Sequence, residues 1–125
     1  MTSTPGASDV PQPWHGPTKI RDLMSTKLTT IGPDETLGFA LGLMLWGAIR
    51  HLPVIADGQL VGLVTDRDLL NLDVVADHRT VAAVMQTEPE TVPPDEDVAV
   101  ASARMVQSRS DCLLVVDEVL VGIVT

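Results

Sequence analysis

Hydrophobic residues recur along this chain in two series with nearly the same spacing. The apolar triple Ile20, Leu23, Met24 is followed by the β-branched run Leu28-Thr29-Thr30-Ile31 and a proline; Val81, Val84, Met85 are followed by Thr91-Val92 and a proline. Each triple predicts a short helix with one buried face, and each run predicts a short strand. Pro33-Asp34-Glu35-Thr36 and Pro94-Asp95-Glu96-Asp97 then set acidic groups and a capping side chain ahead of a helical pattern, where the helix dipole favours negative charge. The main helices that start there would bury Leu37, Ala40, Leu41 and Met44 in the first series and Val98, Ala101 and Met105 in the second. Two strands come next, over 51–55 and 60–65, joined by Ala56-Asp57-Gly58-Gln59, whose Asp-Gly signals a hairpin. Strands over 113–116 and 120–125, with a shorter Asp117-Glu118 turn, answer them. Residues 66–75, with Leu69, Leu70 and Leu72 apolar, predict one more helix.

The two series are one motif written twice. Moved forward by 61 positions, Met24 falls on Met85, Pro33-Asp34-Glu35 on Pro94-Asp95-Glu96, Met44 on Met105 and Val54 on Val115; beyond the hairpin the offset is 60, so Leu60-Val61-Gly62 falls on Leu120-Val121-Gly122. The one deletion lies at a turn, where length changes are tolerated. Two half-size units would each be marginal alone, so the copies are expected to share a core.

Hydrophobic residues make up 45% of the 125-residue chain and aromatics only 2%, so the interior must be aliphatic. A formal net charge of -9, with no cluster of Lys and Arg, argues against nucleic acid or an anionic membrane as partner. The single cysteine, Cys112, has no intramolecular partner and reads as a small half-buried apolar residue. No basic, apolar leader opens the chain, which sets a reducing cytoplasm as the expected compartment. Residues 1–17, rich in Pro, Gly, Ser and Thr, are expected to form a disordered tail.

Ile20-Arg21-Asp22-Leu23-Met24, Thr36-Leu37 with Ala40 and Met44, Ile49-Arg50-His51-Leu52-Pro53-Val54, and the run from Leu60 through Thr65-Asp66-Arg67-Asp68-Leu69, in this order and repeated, resemble the cystathionine beta-synthase (CBS) domain. The resemblance covers roughly residues 18–125 and implies an α/β (α+β) fold, a tandem pair called a Bateman module. Its repeats, 18–79 and 80–125, would be βαββα units packed sheet to sheet about a pseudo-twofold axis, the second lacking its last helix. It further implies a non-catalytic regulatory module whose clefts bind AMP, ADP or ATP, in some members S-adenosylmethionine or NAD, and which commonly dimerises. No cofactor is required on this reading; an adenine nucleotide would be a regulatory ligand.

Thr65 at a strand end and Asp68 at a helix mouth can project into one opening beside free N–H groups. The same spacing fits a variant capping box; the resemblance implies that Thr65 and Asp68 hold a ribose. Arg67, Arg50 and His51 are candidates for phosphate, each equally readable as a surface side chain, and with His15 and His78 far away in sequence no metal site is expected at His51. By resemblance, Thr30, Ile31, Leu52, Pro53 and Val54 would form an adenine slot; as residues they read equally as sheet core. In the second copy Asp111 replaces Arg50, Cys112 replaces His51 and nothing follows Thr125 to replace Asp68, so one competent site or none is expected.

Phe39, Leu43, Leu45 and Trp46 make almost every face of the first main helix apolar, which predicts burial all round. At 14 residues, 36–49 are too few to span a bilayer, which takes about 20. Gly38 and Gly42, with their repeat partners Ala99 and Ala103, would allow close helix approach; together with Phe39, Leu45 and Trp46 they mark a homodimer contact, the alternative being loose packing within one chain. No nucleophile elbow, phosphate-binding loop or Cys/His cluster is present, so enzyme activity is not expected. The leading expectation is a sensor of an adenosyl ligand acting on an effector protein; the rival is a dimerisation or protein-interaction module with a degenerate cleft and no nucleotide.

Overall fold

A computed structural model of the chain describes residues 18–125, and the expected tail lies outside them. The elements run α1 (Ile20–Leu23), α2 (Leu37–Gly47), β1 (His51–Ala56), β2 (Gln59–Thr65), α3 (Asp66–Leu69), α4 (Val81–Val84), β3 (Thr91–Val92), α5 (Val98–Ser108), β4 (Leu113–Asp117) and β5 (Val119–Val124). The mixture of helix and strand is an α+β fold, and the repeat is plain in it.

Antiparallel β1 and β2 form one sheet, and Ile31 bridges β1 in parallel at Val54; in the second half β3 pairs parallel with β4, which pairs antiparallel with β5. Both hairpins carry a register shift at the same place, Val54/Ile55 and Val115/Val116. The first turns at Asp57 (φ 52°) and Gly58 (φ 79°), both left-handed as a two-residue hairpin loop requires, and the second at Glu118 alone (φ 65°).

Three aliphatic clusters form the core. One gathers Leu37, Ala40, Met44, Leu52, Val54, Val64 and Leu69, and its last buried member is Val81 of α4 from the other repeat. The second gathers Val92, Ala101, Leu113 and Val115, and its visitor is Ile20 of α1. Leu63, Cys112 and Leu114 join the two sheets. The short helices have thus changed sides. Val81 and Ala82 donate their N–H groups to the carbonyls of Glu35 and Pro33, and Ile20 and Arg21 to those of Glu96 and Pro94. The repeated Pro-Asp-Glu therefore receives the other copy's first helical turn, whose N–H groups have no partner within their own helix. The chain after each short helix extends the exchange, because Gln86 trades both backbone bonds with Leu63 and Ser25 trades both with Ile123.

Several expectations change. The helix after β2 stops at Leu69 rather than near residue 75: the Leu70 and Leu72 amides bond three residues back, and the Asp73 carboxylate then accepts from Val75 and Ala76, a local alternative to helix. Residues 28–30 form no strand, and only Ile31 makes the bridge. Thr36 caps α2 by accepting from the Phe39 amide at 3.0 Å, whereas Asp97, in the same place before α5, turns its carboxylate to Lys19 at 2.9 Å. Nor is α2 buried all round. Leu37, Ala40 and Met44 are buried, but Phe39 is 49%, Leu45 70% and Trp46 92% exposed.

Both long helices end on a non-glycine residue in the left-handed region, Ala48 at φ 54° and Arg109 at φ 56°. The next amides, of Ile49 and Ser110, bond back to the carbonyls of Met44 and Met105, closing a Schellman turn.

Glycine marks the closest contact between the halves. A Cβ at Gly62 would lie 2.5 Å from the Met85 sulfur and 2.8 Å from the Gln86 carbonyl oxygen; one at Gly122 would lie 2.5 Å from the Met24 sulfur, its other near neighbours also being Met24 side-chain atoms. Gly62→Ala should lower stability by about 1–3 kcal/mol, the cost of overpacking. Gly122→Ala should cost less, since a methionine side chain can move and a backbone carbonyl cannot. Urea unfolding midpoints at unchanged slope measure both, and equal losses would contradict the account.

Candidate functional site

Each hairpin's second strand ends opposite the helix-to-strand turn of the other copy, and a cleft opens at each meeting. The cleft that holds Thr65 has a volume of about 290 Å³ and is walled by Leu63, Thr65, Arg67 and Asp68, by Gln86 and Glu90 of the exchanged segment, and by the turn from Ser108 to Cys112. The cleft that holds Thr125, about 480 Å³, is walled by Ile123, by residues 25 and 27–29, by the turn over 48–51, and by Pro53 and Asp111. Asp111 lines both.

Sequence numbers alone group the site residues differently. Thr65, Arg67 and Asp68 do share a cleft, but Arg50, His51 and Pro53 line the other; Cys112 lies beside Thr65 and Asp68 instead of in a separate second site, and Asp111 reaches both clefts. The pseudo-twofold arrangement is the reason: a strand end of one copy faces a strand start of the other. Ile31 (4% exposed), Leu52 (0%) and Val54 (0%) lie in the core, with no surface left for a base, and the backbones of Ile31 and Pro53 already bond to each other. Thr30 is exposed and lines neither cleft. Gly38, Phe39, Leu45 and Trp46 are exposed on α2, Gly42 is half-buried, and Ala99 and Ala103 are exposed on α5.

Around Thr65 the local chemistry is well defined. Strand β2 delivers a Thr65 that is 6% exposed, and Asp68 stands three residues on in α3. One oxygen of Asp68, Oδ2, accepts from the Thr65 amide at 2.8 Å, the Thr65 hydroxyl at 3.1 Å and Gln86 Nε2 at 3.3 Å. The capping geometry is therefore real, and Asp68 still faces the cleft. Its charge is held in place by both repeats.

Gln86, Glu90, Ser108, Arg109 and Ser110 escaped sequence reasoning, although the repeat offset makes 108–112 the counterpart of 47–51. Glu90 is paired with Arg104 at 3.1 Å, and Arg50, in the other cleft, with Asp66 at 3.0 Å. Among the described residues, the side chains of Arg67 and Arg109 donate no hydrogen bond. Burial disfavours the Asp111 carboxylate, yet the His51 hydrogen bond at 3.2 Å and the nearby charges of His51 and Arg67 hold its pKa below the ordinary value. Burial, aided by Asp111, pushes the Cys112 thiol up to about 11.

Comparison with known proteins bears on what these clefts are. The family model described as CBS domain matches residues 20–74 and again 81–125. The CBS domain-containing protein YhcV of Bacillus subtilis is 36% identical over 110 residues, 84% of this chain and 78% of that one. The homoserine O-acetyltransferase of Methanosphaerula palustris is 35% identical over 102 residues, 81% of this chain, which spans only 21% of that protein's length. Among solved structures, CBSX2 in complex with AMP superposes with a TM-score of 0.79 at 29% identity, covering 87% of this chain and 90% of that one. The CBS domain pair of protein MJ0100, in complex with 5′-methylthioadenosine and S-adenosyl-L-methionine, gives 0.79 at 27%, covering 86% and 92%.

The Asp111 carboxyl, with its folded pKa below an unfolded value of about 3.9, contributes stability that is present above that value and is lost as pH falls through the folded one. His51→Ala should raise the Asp111 midpoint, since burial then acts uncompensated by the imidazole. A carbon-13 carboxyl titration by NMR reads this directly, and an unmoved midpoint would remove His51 as the cause.

Proposed function

The chain belongs to the CBS domain family, in two tandem copies, and on that premise we propose that it is a non-catalytic regulatory module that holds an adenosine-containing ligand in the Thr65 cleft, with the ribose on Asp68. The observation that carries this reading is the Asp68 carboxylate, fixed by three donors through one oxygen while its group lines the cleft. Among the described residues no hydrogen bond reaches Oδ1, which leaves an acceptor for the vicinal hydroxyls of a ribose.

Charge narrows the ligand. Arg67 and Arg109 can meet a phosphate, but Asp111 stands in the same cleft, and Glu90 is paired with Arg104. Two guanidiniums against these carboxylates suit one phosphate, or a neutral or sulfonium group, better than a polyphosphate. The ligands named with the related solved structures, AMP, 5′-methylthioadenosine and S-adenosyl-L-methionine, all carry at most one phosphate. Binding regulates only if it prefers one arrangement of the halves or of an assembly. We assign that assembly to a homodimer through α2, whose Phe39, Leu45 and Trp46 leave an apolar face open. The compartment we assign is the cytoplasm, where the lone Cys112 stays a thiol.

Asp68→Asn keeps an oxygen for the helix cap and removes the charge. It should weaken AMP and 5′-methylthioadenosine alike by tenfold or more, corresponding to about 1.5–3 kcal/mol for a hydrogen bond to a charged group. Arg67→Ala combined with Arg109→Ala should weaken AMP but not 5′-methylthioadenosine. Calorimetry on the full chain separates these outcomes; no binding of any adenosyl compound by wild type would leave the interaction module as the reading. Gly42→Leu tests the dimer, because among the described residues a Cβ there meets nothing within 4 Å. Sedimentation should show this variant shifted toward monomer with unchanged unfolding, and an unchanged dimer would place the interface elsewhere.

A further inference from the structure

His51, Asp111 and Cys112 come from two repeats and are brought together where the clefts meet. One ligand atom from each, an imidazole nitrogen, a carboxylate oxygen and the thiol sulfur, lies within 4.8 Å of the other two, and His51 Nε2 and Asp111 Oδ1 are 3.2 Å apart. We propose that these three side chains form a binding site for a divalent transition ion of the zinc class.

The geometry is close to what such an ion needs. Bond lengths of about 2.0–2.1 Å to nitrogen and oxygen and about 2.3 Å to sulfur, at tetrahedral angles, put ligand atoms about 3.3–3.6 Å apart. The nitrogen-to-oxygen distance is already there, and the sulfur lies within 4.8 Å of both atoms. Donor type points the same way. A thiolate with an imidazole and one carboxylate suits zinc, cobalt or nickel, whereas magnesium and calcium prefer oxygen alone. Charge balances too: one thiolate and one carboxylate neutralise a divalent cation, so it can sit beside a buried sulfur at little electrostatic cost.

The surroundings favour a held ion over an adventitious one. Cys112 is 5% exposed and packed with Leu63 and Leu114, so its sulfur is fixed in the wall between the sheets. The His51 side chain is only 10% exposed, while that of Asp111 is 55% exposed and gives the ion a way in from the clefts. Three protein ligands leave a fourth tetrahedral position for water or for a donor atom of a cleft occupant. Binding replaces the sulfur–hydrogen bond with a sulfur–metal bond; the metal keeps its electron count and one proton passes to solvent. Because the thiol must give up its proton to bind, affinity should rise with pH.

The test uses the untagged full chain without nucleotide. Titration with Co²⁺ should give one ion per chain, with visible bands of a tetrahedral centre and a near-ultraviolet sulfur-to-cobalt band, both removed by Zn²⁺. Cys112→Ser should abolish the sulfur band, and His51→Ala and Asp111→Asn should each weaken binding at least tenfold, while His78→Ala and His15→Ala should change nothing. Wild type supplies a second readout that does not depend on the core variants folding: saturating Zn²⁺ should slow alkylation of Cys112 at least tenfold and release one proton per ion bound. Absence of a sulfur band in wild type, alkylation unaffected by Zn²⁺, or binding equally lost in the His15 or His78 variants would each overturn the site.

Discussion

The reciprocal exchange of the short helices is the constraint on which everything else in this fold rests. Neither sheet is complete without a segment of the other repeat: β2 gains its edge partner at Gln86 and β5 at Ser25. The contact is close because Gly62 and Gly122 leave room for Met85 and Met24 to lie against the strands. Each copy also borrows one fully buried aliphatic side chain, Val81 or Ile20, for its core. An unpaired strand edge and a cavity of that size would each destabilise a half-chain, so the repeats fold as a pair. The clefts are a by-product of the same exchange, since Gln86 both seals an edge and donates to Asp68.

Near-symmetry then makes the small differences between the copies count. Where the first copy has Arg50 and His51, the second has Asp111 and Cys112, and the fold sets these unlike pairs across the axis from one another. Asp111 lines both clefts and takes the hydrogen bond of His51. The middle of the molecule thus carries a carboxylate and a thiol on one side and, on the other, an imidazole and a guanidinium already paired with Asp66. A strictly symmetric pair would offer two equal clefts, and this chain offers two with different chemistry.

Much of the architecture was legible because it is local and repeated. The 61-residue offset located both long helices, and the Asp57-Gly58 signal located the first hairpin, because backbone preferences there act over a few residues. The shortened α3 was harder: three leucines suggested a longer helix, and the competing Asp73 carboxylate decided the matter. Thr65 and Asp68 could be paired from spacing, since they are three residues apart. What joins Thr65 to Arg109 and Asp111, or His51 to Cys112, is a contact across the axis between the copies, and no periodicity within a copy carries that information. The α2 face was legible as apolar but not as exposed, because composition does not say whether a neighbour exists.

Ala48 and Arg109 each turn a long helix into a strand in a single left-handed step, and each also lines a cleft. Their Schellman bonds tie the following residue to the helix's last turn and so couple the cleft wall to the helix. Pressure on Ile49 or Ser110 from inside a cleft would therefore be transmitted as a tilt of the helix, as along a rigid lever. On α2 the far end of that lever is Leu37, so the movement would be largest at the helix N-terminus, where the exposed Phe39 would carry it to the outer surface of the molecule.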